Sequence, residues 1–279
     1  MIISIASGKG GTGKTTLAVN LAVAMEGSVQ LLDCDVEEPN AHLFLKPAFT
    51  RRDSFYLEVP EIDEERCAFC GQCQEVCRFN AIAILEDHAL TFPELCHSCG
   101  GCFMVCPEDA VKSGRRLVGE IECGSRGKVS FAHGRLRVGE AMAPPLIHEV
   151  RRQASSNGVT IIDAPPGTSC PVIAALRGSD YVVLVTEPTP FGLNDLELAV
   201  GAVRVLGLPM GIVINRSDIG DDRVRELARR EGIPVLLEIP FDRKAAEHYA
   251  RGDLLVEHLP RWRENMRGLF STIRQQSGN

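Results

Sequence analysis

Residues 8–16 read Gly8-Lys9-Gly10-Gly11-Thr12-Gly13-Lys14-Thr15-Thr16, a glycine, four intervening positions and then Gly-Lys-Thr. This spacing suits phosphate chemistry. Glycines let successive backbone N–H groups turn toward one anion without a Cβ in the way. Ile2 to Ala6 reads as a buried strand, and Leu17 to Met25 as an Ala/Leu-rich helix. A strand, a glycine loop and a helix that points its positive end at the same anion make the pattern mechanistic. Gly10, Gly11, Thr12, Gly13, Lys14, Thr15 and Thr16 are thus candidate nucleotide contacts, with Lys14 on the β/γ-phosphates and the Thr15 hydroxyl on Mg²⁺.

Three carboxylates join this loop as candidates. Val29 to Leu32 reads as a second buried strand that runs into Asp33-Cys34-Asp35. Val159 to Ile162 is a third, ending in Asp163-Ala164-Pro165-Pro166-Gly167. Acids at the carboxyl ends of parallel strands lie in the crevice where such sheets bind ligands. Asp163 fits the Mg²⁺-side carboxylate of a phosphate-loop nucleotidase, acting through water, and the Pro-Pro-Gly turn would sense the γ-phosphate. For Asp33 and Asp35 the plainer alternative is turn capping. Asn215, at the end of the apolar run Met210 to Ile214, is a candidate for an adenine edge, and Pro240 for the base face. A turn-forming Asn is the alternative.

The second concentration of chemistry is sulfur. Cys67-x2-Cys70-x2-Cys73-x3-Cys77 recurs 29 residues later as Cys96-x2-Cys99-x2-Cys102-x3-Cys106-Pro107, and Gly71/Gly100 and Val76/Val105 repeat with it. Eleven cysteines in a chain of this composition point to metal or redox chemistry rather than a disulfide scaffold. Structural zinc is the alternative to an iron–sulfur site. Zinc sites favour two separated cysteine pairs, not four cysteines within eleven residues.

The elements that must position these groups follow from the rest of the chain. Hydrophobic content of 44% and charged content of 24% over 279 residues suit one α/β domain plus a small insert. The last third alternates apolar runs (Tyr181 to Val185, Met210 to Ile214, Val235 to Ile239) with helical stretches near 193–206 and 222–230. Such alternation predicts a parallel sheet with helices on both faces. Pro144-Pro145 opens a further helix. Residues 115–140 read as two or three exposed antiparallel strands returning the chain to the sheet. Trp262, Met266, Leu269, Phe270 and Ile273 form one face of a final helix flanked by arginines. Packing on its own domain is the expected use, and a membrane contact the alternative.

The net charge of −7 resides in one place. Residues 59–113 hold ten acids and three bases, and the remainder balances at 27 of each. An acidic module argues against nucleic acid and suits docking of a basic protein. With no apolar run near a membrane span and a strand at the N-terminus, a cytoplasmic location without membrane attachment is expected.

The paired cysteine motifs resemble a bacterial two-cluster ferredoxin over roughly residues 60–113. That resemblance implies one [4Fe–4S] cluster on Cys67, Cys70, Cys73 and Cys106, and another on Cys96, Cys99, Cys102 and Cys77. Arg78 departs from the pattern by standing where the first motif would have a proline. Lys9, directly after the first glycine, together with Asp33-x-Asp35 and Asp163-Ala164-Pro165-Pro166-Gly167, resembles the deviant phosphate loop of the MinD/ParA/Mrp ATPases. The implied organisation is a MinD-like P-loop ATPase domain over 1–58 and 114–279, with a small inserted α+β ferredoxin-like domain over 59–113.

The resemblance further implies a homodimer, or a heterodimer with a paralogue, that sandwiches ATP and Mg²⁺. Lys9 would reach the partner's phosphates, Asp35 would orient or activate water, and Asp33 would support the Mg²⁺ region. Lys9, Lys14 and Asp35 are then the catalytic candidates, and Thr15, Asp33 and Asp163 the Mg²⁺ site. Cys170 falls where the related nitrogenase iron protein places a cluster ligand, with Cys123 a possible second; an inert buried thiol is the usual fate of a lone cysteine. The expected activity is ATP hydrolysis coupled to electron transfer or metal-cofactor assembly through a redox or assembly partner. A MinD/ParA-like positioning ATPase with structural or sensory clusters, and an Fe–S scaffold or carrier, are the alternatives.

Overall fold

The computed structural model describes residues 1–277. Close contacts divide the chain into two units, one of Met1–Asp53, Ile121–Arg135 and the residues from Ala143 onward, the other of Ser54–Glu120 and Leu136–Met142.

The first unit begins with β1 (Ile2–Ala6), α1 (Lys14–Ala24), β2 (Val29–Asp33) and α2 (Ala41–Leu45). β3 (Ala48–Ile62) starts in it and runs on into the second unit. The second unit holds α3 (Gln72–Val76), β4 (Ile82–Ile84), β5 (Ala89–Thr91) and α4 (Gly101–Val105). β6 (Val111–Arg126) leads the chain back and β7 (Val129–Leu136) follows after two residues. The first unit is completed by α5 (Pro144–Arg152), β8 (Val159–Asp163), α6 (Cys170–Leu176), β9 (Tyr181–Thr186), α7 (Pro190–Val205), β10 (Met210–Asn215), α8 (Arg223–Glu231), β11 (Val235–Ile239), α9 (Arg243–Ala250), α10 (Leu255–His258) and α11 (Pro260–Gln276).

The main sheet has the order β11-β10-β9-β1-β8-β2-β7-β6-β3. Every pair from β11 to β7 is parallel. β1 lies between β8 and β9, so the chain leaves β1 at the point where the strand order reverses, which is where open α/β sheets bind ligands. Two sets of helices cover the sheet, α1 with α2, α10 and α11, and α5 with α6 alongside α7 with α8. The core between α1, α11 and the sheet includes Ile3, Ile5, Leu21, Leu31, Ile161, Val183, Val213 and Met266. Each such side chain stabilises the fold by about 1.5–3 kcal/mol relative to exposure.

Residues 115–140 depart from expectation. They form two strands that are largely buried, and β7 pairs in parallel with β2, opposing Asp33 to His133. The reason is a polar pair inside the sheet. His133 is fully buried, and its Nε2 lies 2.9 Å from Glu122 Oε2, while Arg52 donates to the other oxygen of Glu122, Oε1. Two polar side chains paired with each other inside the sheet therefore imitate the alternation of a half-exposed hairpin. β3 carries no apolar periodicity over Ala48–Asp53 because it is the exposed edge of the sheet. Charges at Arg51, Arg52 and Asp53 guard that edge against further pairing.

The apolar face of α11 lies in the first unit's own core, with Met266 and Ile273 fully buried. Among the described residues no helix is long and apolar enough to cross a membrane.

Candidate functional site

The loop between β1 and α1 borders a cavity of about 340 Å³. Gly10, Gly11, Gly13, Lys14, Thr15, Thr16 and Asp35 line it, together with Asn215, Pro240 and Phe241. Two glycines in the loop are obligatory. A Cβ on Gly8 would fall 2.1 Å from the Asp195 carbonyl oxygen of α7, and Gly13 holds φ at +97° as it opens α1. Lys9 lies outside this lining, and its carbonyl accepts a hydrogen bond from the Ser7 hydroxyl.

Three carboxylates converge near Lys14. Asp33 is fully buried, and its carboxylate accepts from the backbone N–H of Asp35 (3.1 Å), Asn40 (3.0 Å) and Ala41 (3.0 Å). It therefore shapes the loop that presents Asp35, and the turn-capping role is real alongside any Mg²⁺ role. Burial, and then the charge of Asp163, pushes its pKa well above the ordinary range. Asp163 is 1% exposed, and neither carboxylate oxygen is hydrogen-bonded. Burial pushes its pKa up to about 7, against the pull of Thr15 and Lys14. Asp35 rises to about 6, again by burial. Lys14 itself is lowered by burial, with Asp163, Asp35 and Asp33 working the other way. A buried Asp163 carboxylate with no N–H donor, beside the Thr15 hydroxyl, offers the oxygen ligands that Mg²⁺ takes and shares with phosphate. The residues fit the ion.

Asn215 ends β10 against the phosphate loop. Its Nδ2 donates to the Thr12 carbonyl at 2.9 Å and its Oδ1 accepts from Arg216 N–H. The side chain ties the strand end to the phosphate loop. Phe241 and Asp242 also line the cavity and carried no sequence signal beyond proximity to Pro240.

In the second unit the eight clustered cysteines gather four and four. One small cavity is lined by Cys67, Cys70, Cys73 and Cys106, the other by Cys77, Cys96, Cys99 and Cys102. The 29-residue repeat extends to the backbone. Phe69 and Ser98, Gly71 and Gly100, and Asn80 and Asp109 occupy the left-handed region in pairs. The N–H groups of Phe69 and Ser98 donate to Cys67 and Cys96 sulfur at 3.4 and 3.3 Å. Those of Ala81 and Ala110 donate to Cys77 and Cys106 sulfur at 3.3 and 3.2 Å. Arg78 thus leaves the turn after Cys77 the same as the one containing Pro107. Burial, and then neighbouring Cys96, pushes the Cys102 thiol up to about 11. Such a thiol stays neutral until a cation draws off its proton. Four convergent sulfurs with N–H groups directed at them fit an iron–sulfur cluster in each cavity.

Of the remaining cysteines, Cys34 is fully buried and Cys123 lies 3.2 Å from an Arg51 nitrogen. Cys170 is exposed at the start of α6 rather than buried. Sequence reading missed Arg116 and Glu140, a buried ion pair of the second unit whose guanidinium also bonds the Cys96 carbonyl. Their separation in the chain left no signal.

A model of the CobQ/CobB/MinD/ParA nucleotide binding domain matches residues 3–256. Two uncharacterized proteins of Methanocaldococcus jannaschii are 30% and 29% identical, covering 92% and 99% of this chain and 92% and 97% of their own. An iron-sulfur cluster carrier protein of Pyrococcus abyssi is 26% identical over 88% of this chain and 75% of its own. Among solved structures, the septum site-determining protein MinD of Pyrococcus horikoshii, complexed with Mg-ADP, superposes with a TM-score of 0.62 at 20% identity. That match covers 99% of this chain and 97% of that one.

Proposed function

Because the chain belongs to the CobQ/CobB/MinD/ParA nucleotide-binding family and is a P-loop ATPase, we propose that it is an ATP-driven iron–sulfur protein. The observation that carries this reading is the partition of eight cysteines into two four-sulfur cavities within a chain that also holds a complete phosphate loop. Cys67, Cys70, Cys73 and Cys106 hold one [4Fe–4S] cluster, and Cys77, Cys96, Cys99 and Cys102 the other. When bound, such clusters supply one-electron transfer.

At the nucleotide site, Gly10 to Thr16 surround the phosphates with N–H donors and Lys14 neutralises the β/γ oxygens. Thr15 and Asp163 would hold the Mg²⁺, and Asp33 fixes the loop carrying Asp35. Asp35 orients the attacking water. Asn215 and Pro240 lie at the base end. Lys9, outside the cavity of its own protomer, acts across a dimer, where its charge counts only on closure. ATP thereby shifts the population toward a closed homodimer or a heterodimer with a paralogue. The acidic residues of 59–113 present the docking face for a basic redox or cofactor-assembly partner.

Electron transfer is favoured over cluster delivery because two cavities in one unit form a relay, whereas delivery needs a single labile site. The test is anaerobic purification, iron and sulfide counting, and EPR with and without Mg·ATP. About eight irons per chain and an ATP-dependent spectrum are expected. Zinc without sulfide would refute the redox reading.

A further inference from the structure

The two cysteine cavities are not equivalent, and one of the differences lies outside the repeat. Arg116 is 6% exposed, yet its guanidinium has a dual engagement. Nη1 bonds Glu140, and Nη2 donates to the Cys96 carbonyl at 3.2 Å, while Nε has no partner. The Glu140 side chain is fully buried, and its other oxygen accepts from Met142 N–H at 3.1 Å. Arg137 N–H donates to the Val118 carbonyl at 2.9 Å, which holds the segment bearing Glu140 against β6. Arg116 and Glu140 follow the duplicated motifs in the chain; at the other cavity the guanidinium that bonds a lining carbonyl is that of Arg66, on Glu108, and it is exposed rather than held in a buried pair.

A second asymmetry lies on the same cavity. Phe79 and His97 stack with ring centroids 3.7 Å apart and planes 8° from parallel, and both line the cavity of Cys77, Cys96, Cys99 and Cys102. Ala68 and Glu108 occupy the matching positions at the other cavity.

We infer that Arg116 and Glu140 are positioning residues for the Cys77/Cys96/Cys99/Cys102 cavity, locking the Cys96 backbone and setting this site's affinity for an electron apart from its twin's. A buried ion pair costs desolvation on both sides and is poor evidence of stabilisation by itself. Its distinctive effect is a fixed field in a low-dielectric place. The guanidinium touches the ligand's own peptide, and Glu140 opposes its charge. A cation near a redox group favours the reduced, more negative state, so weakening Glu140's opposition raises the reduction potential there. Two sites with unequal electron affinity give a relay a direction, which the internal repeat alone would not.

This inference rests on the two-cluster reading, and the experiment separates them. The full-length, anaerobically purified protein is titrated with dithionite and followed by EPR, for the parent chain, Glu140→Gln and the double variant Arg116→Met/Glu140→Met. The double variant replaces the pair by apolar side chains of similar length and guards against a folding defect. Glu140→Gln is expected to move one of the two midpoint potentials upward and leave the other unchanged. The double variant is expected to lower that same potential. A Cys70→Ala background, which disables the other cavity, should retain the responsive signal. If both potentials move together, or neither moves in folded protein, Arg116 and Glu140 do no more than support the fold. Absence of iron and sulfide from the parent chain would instead refute the two-cluster reading, and this inference with it.

Discussion

Asp163 has free energy at stake, because it is buried with neither carboxylate oxygen hydrogen-bonded and burial pushes its pKa up to about 7. A raised carboxylate binds more protons folded than unfolded. Its favourable contribution is therefore complete below about pH 4 and is lost as pH rises through about 7. The nucleotide-free, Mg²⁺-free protein should show a falling Tm across that window, and Asp163→Asn should flatten this part of the profile. Mg·ATP should restore more stability at the high-pH end, where the carboxylate is ionised and available, than at the low end. Differential scanning fluorimetry with and without Mg·ATP checks both. Lys14→Ala should lower ATP turnover by roughly 10²-fold or more, as expected for removal of an electrostatic contact to transferring phosphate. A phosphate-release assay measures it.

At the scale of elements, α11 illustrates how a basic amphipathic pattern is resolved. Trp262, Met266, Leu269 and Ile273 recur at helical spacing and all enter the core beside α1. Met266→Ala should therefore cost about 2–5 kcal/mol, read from the urea midpoint. Anionic vesicles should not retain the protein with or without ATP; retention in a flotation assay would favour the positioning reading. β7 belongs to the same scale. A strand with His133 in its middle reads as half-exposed, yet pairing with Glu122 lets it enter the sheet next to β2. Glu122→Ala would leave His133 buried without that partner. A loss of about 1–3 kcal/mol is expected, visible in the same urea titration.

For the whole molecule, the central expectation is that nucleotide controls association. Lys9→Ala should leave ATP affinity close to that of the parent chain, because the side chain lies outside its own protomer's cavity. The same change should abolish the part of the turnover that rises with protein concentration. Isothermal titration calorimetry and hydrolysis measured over a range of protein concentrations distinguish the two effects. Unchanged concentration-dependent turnover would remove Lys9 from any action across protomers.

The amino-acid sequence by itself determined what depends on local spacing. A glycine loop between a strand and a helix, three acids at strand ends, and a duplicated cysteine pattern are written in contiguous residues, because backbone turns and ligand bites are short-range. The parallel sheet was legible for the same reason, through alternating apolar runs and helices. Only the tertiary structure decided the rest. It turned Asn215 toward the Thr12 carbonyl, buried Glu122 with His133, made β3 a charged edge and brought Arg116 and Glu140 together beside Cys96. Apart from the edge, each of these is a polar side chain that meets its partner outside its own stretch of sequence. Hydrophobic patterning is silent about such pairs, since it records which residues avoid water and not which polar groups find one another.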